Sequence, residues 1–131
     1  MSQENVELVR RIHEGWARGD FRVGADRLAP GFEWHQFPQA VEPGTRRGAE
    51  VGEALRSVFD IYREVRVEAR EFIDAGDQVV VIGLTRATAR GSGLELENPI
   101  ALVWTVRDGR LVRNEVFTDR REALEAAGLG E

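Results

Sequence analysis

Cysteine and lysine are absent from the 131-residue sequence. Without cysteine the chain cannot form disulfide bonds or a metal site with thiolate ligands. Arginine supplies all 18 basic residues, which are interspersed with 23 acidic residues to give a net charge of −5. Because the arginines do not cluster, we predict no nucleic-acid binding. The longest apolar run, VVVIGL at 79–84, is short for a membrane-spanning segment, so we predict no membrane insertion.

The sequence also has little that predicts a metal site or a signal peptide. There are only two histidines, and neither HxH nor HExxH spacing occurs, so we expect no metal and no other cofactor. The opening MSQENVELVRR has neither the basic nor the apolar region of a signal peptide, which favours a cytoplasmic location. The apolar fraction of 42% and the charged fraction of 31% are typical of a folded protein, and the length suits a single domain over residues 1–131.

Apolar residues at helical spacing dominate two segments of the first half. The stripe on the first segment consists of Val6, Val9, Ile12 and Trp16. It predicts a helix over 2–18, with Gly19 as a left-handed C-terminal cap. A shorter helix interrupted by Gly24 is predicted over 20–28, and the clearest helical pattern covers 49–62.

Elsewhere the pattern is that of strands. Pro-Gly at 30–31 is expected to break the chain before a short strand at 32–37, and 38–48 is predicted to be a loop. From residue 65 the apolar period is two, and turn sequences divide the remainder into four antiparallel strands and a last short helix. The turns lie at 75–77, 91–93 and 108–109, and the helix at 120–127. The order of elements predicts an α+β fold with the helices on one face of a curved sheet.

The long strands are apolar on both faces. In the run at 79–84, valines and other aliphatic residues occupy both the odd and the even positions. An antiparallel sheet with two apolar faces needs two covers, and the predicted helices supply one of them. We expect a second copy of the chain to supply the other, which predicts a homodimer.

Five segments spread over nearly the whole chain are similar to those of a known superfamily. They are ENVELVRRIHEGWARGDF, FEWH, RRGAEVGEALRSVF, FIDAGDQVVV and VWTVRDGRLVRNEVFTDRREALEAAGL. They resemble the nuclear transport factor 2-like superfamily, and within it the SnoaL-like or ketosteroid isomerase-like small bacterial proteins. The resemblance implies a cone-shaped, curved antiparallel sheet wrapped around N-terminal helices, with a deep apolar cavity open at one end. The same fold hosts isomerases, dehydratases, epoxide hydrolases, cyclases and binding proteins, so it does not select a reaction.

Positions that carry catalytic groups in enzymes of this superfamily hold other residues here. By the resemblance, the tyrosine and the two aspartates of ketosteroid isomerases correspond to Ile12, Gln36 and Leu102. The acid of the cyclases and the limonene-type epoxide hydrolases corresponds to Val116. None of these four side chains can transfer a proton. The departures speak against each of those activities and leave a different constellation in the same cavity open.

Strand alternation and the resemblance together predict which side chains line the cavity. The predicted set is Ile12, Trp16, Trp34, Gln36, Phe59, Tyr62, Asn98, Leu102, Trp104, Asn114, Val116 and Thr118. Such a lining suits a small hydrophobic or aromatic ligand that carries one or two oxygens. Pro99 is a candidate bulge that would shift the register of Asn98. The alternative is that the aromatic members are ordinary core residues.

His35 is the candidate catalytic base, with Glu33 two residues before it either to orient it or to accept a proton. Strict alternation directs both side chains away from the cavity, and a kink at the end of the strand would reverse this for His35. His13, at the edge of the apolar stripe of the first helix, is interpreted as a packed or half-exposed residue.

Three functions remain open. The first is a cofactor-independent acid–base enzyme (isomerase, dehydratase, cyclase or hydrolase type) with His35 as base and Asn114, Asn98 or Tyr62 holding an oxyanion. The second is a binding protein for a small apolar molecule, without turnover. The third is a homodimerisation module with a residual cavity. The lack of carboxyl groups at inward positions favours the second and third, and the precedent of the fold favours the first.

Overall fold

The computed structural model describes residues 2–40 and 43–129. Its helices are α1 (Ser2–Ala17), α2 (Ala49–Ile61) and α3 (Arg120–Ala126), with a one-turn 3₁₀ helix at Ala25–Arg27. Its strands are β1 (Leu28–Gln36), β2 (Gly44–Arg47), β3 (Tyr62–Ala75), β4 (Gln78–Ala89), β5 (Glu95–Arg107) and β6 (Arg110–Phe117). The predicted α+β class is confirmed, and the main helices and the four long strands begin and end within a few residues of the predicted positions.

The six strands form one curved, open sheet in the order β2-β1-β6-β5-β4-β3. The predicted meander from β3 to β6 is antiparallel throughout. The turn between β5 and β6 uses Asp108 and Gly109, both with positive φ, as the Asp-Gly pair predicts. β1 pairs in parallel with β6 and antiparallel with β2, which extends the sheet beyond the meander.

The curvature of the sheet has a local cause in the pairing of β3 with β4. The register shifts between Ala69 and Glu71, so β3 has one residue more than β4 at this point. Gly83 on β4 lies beside this bulge, and a Cβ atom at position 83 would be 2.0 Å from the carbonyl oxygen of Glu68. Only glycine allows the two backbones to approach so closely. The bend at this position brings the sheet around α1.

The main core lies between α1 and the concave face of the sheet. Val9 and Ile12 of α1 are almost completely buried against the sheet. The cluster also contains Leu8, Phe32, Trp34, Ala54, Val79, Val81, Leu102, Trp104, Val106, Leu111 and Val116. Burial of one such aliphatic side chain contributes about 1.5–3 kcal/mol, so this cluster dominates the stability of the fold.

The convex face of the sheet carries a second, smaller core beneath α3. It contains Val80, Ala101, Val103 and Ala123, and Leu124 of α3 packs against it. Arg120 at the start of α3 forms an ion pair with Glu71 of β3. The sequence predicted that a second copy of the chain would cover this convex face. In the structure, α3 of the same chain covers part of it. The homodimer stays a prediction.

Three short elements differ from the sequence prediction. The helix predicted over 20–28 is reduced to the 3₁₀ turn Ala25–Arg27, because Gly24 has φ +90° and a Cβ there would lie 2.6 Å from Ile12 Cγ1. Pro30 and Gly31 lie inside β1, where the pairing with β6 is irregular. β2, inside the predicted loop, is an exposed edge strand that lacks an apolar pattern.

Among the described residues, no helix combines the length and the apolar character needed to cross a membrane.

Candidate functional site

Two rows of neighbouring side chains cross the concave face of the sheet. They consist of Val79, Trp104, Asn114 and Trp34, and of Val81, Leu102 and Val116. All seven residues are buried. The structure therefore places Trp34, Leu102, Trp104, Asn114 and Val116 on the face where the sequence predicted them. Ile12 lies opposite them on α1, and Gln36 ends β1 on the same face as Trp34.

His13 of α1 also faces the concave side of the sheet, with an exposed fraction of only 2%. The indole Nε1–H of Trp104 donates a hydrogen bond to His13 Nε2 over 2.9 Å. Burial lowers the pKa of His13 from 6.5 to about 3, because a charged imidazole would lose its hydration. The ring is therefore neutral at pH 7. Since Nε2 accepts a hydrogen bond, the single ring proton resides on Nδ1.

Four buried polar atoms on this side of the sheet have no hydrogen-bond partner in the described protein. They are His13 Nδ1, Trp16 Nε1, Gln36 Oε1 and Asn114 Oδ1. The first two carry N–H donors and the last two are carbonyl acceptors. An unpaired buried polar group costs about 1–3 kcal/mol, and native proteins contain few of them. A fifth such atom, Arg113 Nε, belongs to a side chain on the convex face.

Aromatic rings surround the His13 imidazole. The His13 ring lies 4.8 Å from Trp16 and 5.9 Å from Trp104, measured between ring centroids. The two indoles are 5.5 Å apart, and Phe72 approaches the imidazole edge-on at 6.0 Å. We call His13, Trp16, Gln36, Trp104 and Asn114 the buried polar cluster. Around His13 and Trp16 its surroundings are aromatic rings.

No aspartate or glutamate is buried within residues 2–40 and 43–129, and no three metal-ligating side chains converge there. The buried polar cluster consequently holds neither a carboxylate base nor a metal-ligand set. It can donate and accept hydrogen bonds at neutral pH, and its one titratable group is a weak base.

Glu33 and His35 form a separate group on the convex face of β1. His35 Nε2 lies 2.8 Å from Glu33 Oε1, and the Thr45 hydroxyl lies 3.0 Å from Nδ1. Glu33 Oε2 accepts a hydrogen bond from Arg47 Nε over 2.8 Å. The hydrogen bonds from His35 and Arg47 hold the pKa of Glu33 below its ordinary value. The side chains of His35 and Glu33 are 27% and 26% exposed. The strand shows no reversal at its end that would bring His35 to the buried polar cluster, so the structure keeps the two groups apart.

Residues 9–114 match the family profile described as the SnoaL-like domain. The chain belongs to the SnoaL-like domain family. The matched segment contains every member of the buried polar cluster. Among curated proteins, none matches this SnoaL-like domain.

Solved structures similar to this SnoaL-like domain share its fold over nearly the full length. An NTF2-like protein of unknown function from Burkholderia pseudomallei is 30% identical, with a TM-score of 0.78 over 93% of this chain and 95% of that chain. TerC, co-crystallised with polyporic acid, is 27% identical, with a TM-score of 0.74 over 95% and 98%. A putative SnoaL-like polyketide cyclase from Jannaschia sp. is 24% identical, with a TM-score of 0.72 over 99% and 94%, and supports the shared fold.

Among the grooves that the described residues form, two lie at opposite ends of α1. One of about 830 Å³ lies beside the beginning of α1 and the turn at 107–109. The other, of about 670 Å³, lies beside the end of α1 and is lined by Phe21 and Phe59 among others. Phe59 is the one residue of the predicted cavity lining that borders either groove. The inward residues of the sheet pack into the core instead.

Three further predicted lining residues lie away from the buried polar cluster. Asn98 and Thr118 are exposed, and Tyr62 is half-buried at the first position of β3. The pairing of β4 with β5 runs through Pro99 without a shift, so the predicted bulge at this proline is wrong. Asn98 lies in the first part of β5, before the run of buried residues that begins at Ala101.

The sequence interpretation did not assign a functional position to His13. Its spacing carried a signal, because His13 lies four residues after Val9 and three residues before Trp16 on the apolar stripe. The packed alternative was correct. The contact with Trp104, 91 positions later in the chain, arises only in the folded structure.

Proposed function

We propose that this SnoaL-like domain binds a small aromatic molecule that carries carbonyl and hydroxyl oxygens, and that the buried polar cluster is its binding site. The proposal depends on one observation, the four unpartnered polar atoms on the concave side of the sheet. A folded core rarely leaves so many polar atoms without partners on one side of a sheet unless something else can satisfy them.

The hydrogen-bonding capacity of the cluster defines the ligand. His13 Nδ1–H and Trp16 Nε1–H would donate to a carbonyl or phenolate oxygen, and the side-chain carbonyls of Asn114 and Gln36 would accept from hydroxyl groups. The indoles of Trp16 and Trp104 would stack against an aromatic ring. TerC, the relative co-crystallised with polyporic acid, supports the choice of an organic ligand for this fold.

Binding requires the core to open, since the inward side chains contact one another. Trp16 is half-buried, and the half-buried Phe21 ring lies against it in a tilted arrangement, with the ring centroids 5.0 Å apart. Movement of these two rings would admit a planar molecule without disturbing the sheet. Ligand binding of this kind selects a minor conformation of the free protein.

The chemistry of the cluster favours binding and polarisation over general-base catalysis. With its pKa lowered to about 3, His13 is a poor base at neutral pH. Its Nδ1–H can still polarise a carbonyl, as a neutral imidazole does in an oxyanion site. Catalysis would then need a base from elsewhere. His35 and Glu33 remain the proposed candidates, although they lie on the other face of β1.

Asn114→Leu tests the proposal, since leucine has a similar shape and no polar atom. The substitution removes an unpaired buried acceptor, so the variant is expected to be more stable in urea while it binds aromatic ligands more weakly. Ligands would be screened by thermal shift and titration calorimetry with polyporic acid and other hydroxylated aromatic ketones and quinones. Val116→Ala, in the next row on the same strand, is the control and should lose stability. If no compound binds and Asn114→Leu is less stable than the wild type, the cluster is ordinary core and the proposal is wrong.

A homodimer and a cytoplasmic location remain part of the proposal. α3 covers Val80 and Val103, but the rest of the convex face toward β1 carries the half-buried Arg113 and Glu115 with an ion pair of 3.1 Å. A second copy could pack against this region. Light scattering after gel filtration measures the molar mass in solution. A monomer at tens of micromolar protein would contradict the proposed homodimer.

A further inference from the structure

The groove at the end of α1 has an aromatic floor and a positive rim. Phe21 and Phe59 form the floor, with their ring centroids 5.8 Å apart. The rim carries four arginines and two aspartates, namely Arg18, Arg22, Arg56, Arg90, Asp20 and Asp60. The rim is therefore positive, whereas the chain as a whole has a net charge of −5. A locally positive groove in an acidic protein attracts anions.

A continuous series of aromatic contacts connects this groove with the buried polar cluster. Phe59 contacts Phe21 at 5.8 Å, Phe21 contacts Trp16 at 5.0 Å, and Trp16 contacts Trp104 at 5.5 Å. Trp16 also lies 4.8 Å from His13. A planar aromatic molecule that displaced the Phe21 ring would replace the contact of Phe21 with Trp16 by its own contact with Trp16. The path offers apolar surface from the solvent to the interior.

We propose that this groove is the entrance to the buried polar cluster and that its arginine rim selects aromatic anions, such as carboxylates and acidic phenols, over neutral aromatic molecules. This inference rests on the proposed function, since it names the class of ligand for the same site. The ring of the ligand would follow the aromatic path, while its anionic group stays at the rim or is exchanged for the N–H donors inside.

The contacts of the rim arginines leave charge available to a ligand. Arg90 Nε donates to the Phe59 carbonyl over 2.8 Å, and Arg18 Nη1 donates to the Glu14 carbonyl over 3.2 Å. Neither of these contacts neutralises a guanidinium, because both acceptors are backbone carbonyls. Arg22 lies 3.4 Å from the Asp20 carboxylate, and its side chain is 94% exposed. Arg56 is exposed on α2.

The distribution of charge predicts how selectivity should depend on salt. Exposed charge pairs are screened beyond about 10 Å at 0.1 M ionic strength. The preference for an anion should therefore decrease as salt is raised, and the association rate should change more than the dissociation rate. Each exposed arginine removed should weaken anion binding by about two- to fivefold.

The experiment compares 2-naphthoate with 2-naphthamide, which have the same ring and differ in charge. Calorimetry and stopped-flow tryptophan fluorescence would be recorded for the wild type and for Arg22→Gln/Arg56→Gln at low and high salt. Arg110→Gln, an exposed arginine near the opposite groove, is the control. We expect the wild type to prefer naphthoate, the double variant to lose this preference without a change for naphthamide, and the control to resemble the wild type.

The outcomes separate the two proposals. If both probes bind equally and the double variant changes nothing, the proposed function stands and the inference about anions is overturned. If neither probe nor polyporic acid binds, both are overturned. Phe21→Leu tests the entrance itself, because removing the ring while keeping apolar volume should increase the association and dissociation rates of 2-naphthamide together. Unchanged rates would place the entrance elsewhere.

Discussion

Trp104 on β5 donates a hydrogen bond from its indole N–H to Nε2 of His13 on α1, over 2.9 Å and at nearly complete burial of both residues. This bond fixes the ring tautomer and leaves Nδ1–H as a donor inside an aromatic core. A buried hydrogen bond between two heteroaromatic rings also joins the first helix to the centre of the sheet. The stability of the fold and the chemistry of the proposed site consequently depend on the same pair.

Trp104→Phe should destabilise the protein more than Trp34→Phe. Both substitutions remove the same atoms from the same row of the sheet, but only the first removes the donor to His13. Leaving the imidazole acceptor unpaired adds about 1–3 kcal/mol to the cost of the lost ring. Urea denaturation of the two variants measures the difference. Equal losses would show that the hydrogen bond contributes nothing beyond packing.

Burial of neutral His13 predicts a dependence of stability on pH. The pKa is 6.5 in the unfolded chain and about 3 in the folded protein, so between these values only the unfolded state binds the proton. Stability is therefore complete above pH 6.5 and falls as the pH is lowered, by about 1.4 kcal/mol per pH unit. Below about pH 4.5, protonation of Glu33 and Glu71, whose pKa values are also lowered, adds to the loss.

The window from pH 5 to 6.5 isolates the contribution of His13. His13→Leu should abolish the slope of the unfolding free energy in this window, as measured by urea denaturation at several pH values. His35→Gln removes the other of the two histidines and should retain it. A slope that survives in His13→Leu would assign the pH dependence to another group.

Substitution of His35, on the convex face of β1, should not affect ligand binding. His35→Gln and Glu33→Gln alter side chains on the face opposite to Trp34, where they bond to each other and to Arg47. We expect the affinity for an aromatic probe to stay within twofold of the wild type in calorimetry, a limit that corresponds to about 0.4 kcal/mol. Loss of binding in either variant would show that this group communicates with the concave face. Loss of turnover with intact binding would instead support His35 as the proposed base.

The stability of the last helix, α3, should depend on its N-terminal cap. The Asp119 side chain accepts a hydrogen bond from the backbone N–H of Arg121 over 2.7 Å. Asp119→Ala should lower the free energy of unfolding by about 1 kcal/mol, because α3 has only seven residues to hold its place on the convex face. Glu125→Gln, at an exposed position of the same helix, should have little effect. Thermal denaturation compares the two variants, and equal stability would mean that the contacts of α3 with the sheet, and not its cap, hold this helix on the convex face.

Most of the fold could be predicted from the sequence because local patterns carry it. The apolar stripe that contains Val9 and Ile12 defines α1, and Asp108-Gly109 defines a hairpin through backbone conformations that few other pairs adopt. The predictions failed where distant contacts override the local pattern. Gly24 ends a helical pattern because it packs against Ile12, and β2 forms only because β1 offers an edge.

For the candidate site, too, the features set by local backbone pattern could be predicted and those set by distant contacts could not. Alternation along β1, β5 and β6 determined that Trp34, Trp104 and Asn114 share one face, since successive side chains of a strand point to opposite sides. The sequence by itself left His13 as a packed or half-exposed residue and gave no sign of its protonation state or of its hydrogen-bond partner. Tertiary structure decided both, because desolvation and the choice of tautomer at His13 depend on an indole 91 positions away. Alternation is a property of the local backbone, whereas the protonation of a side chain is a property of everything packed around it.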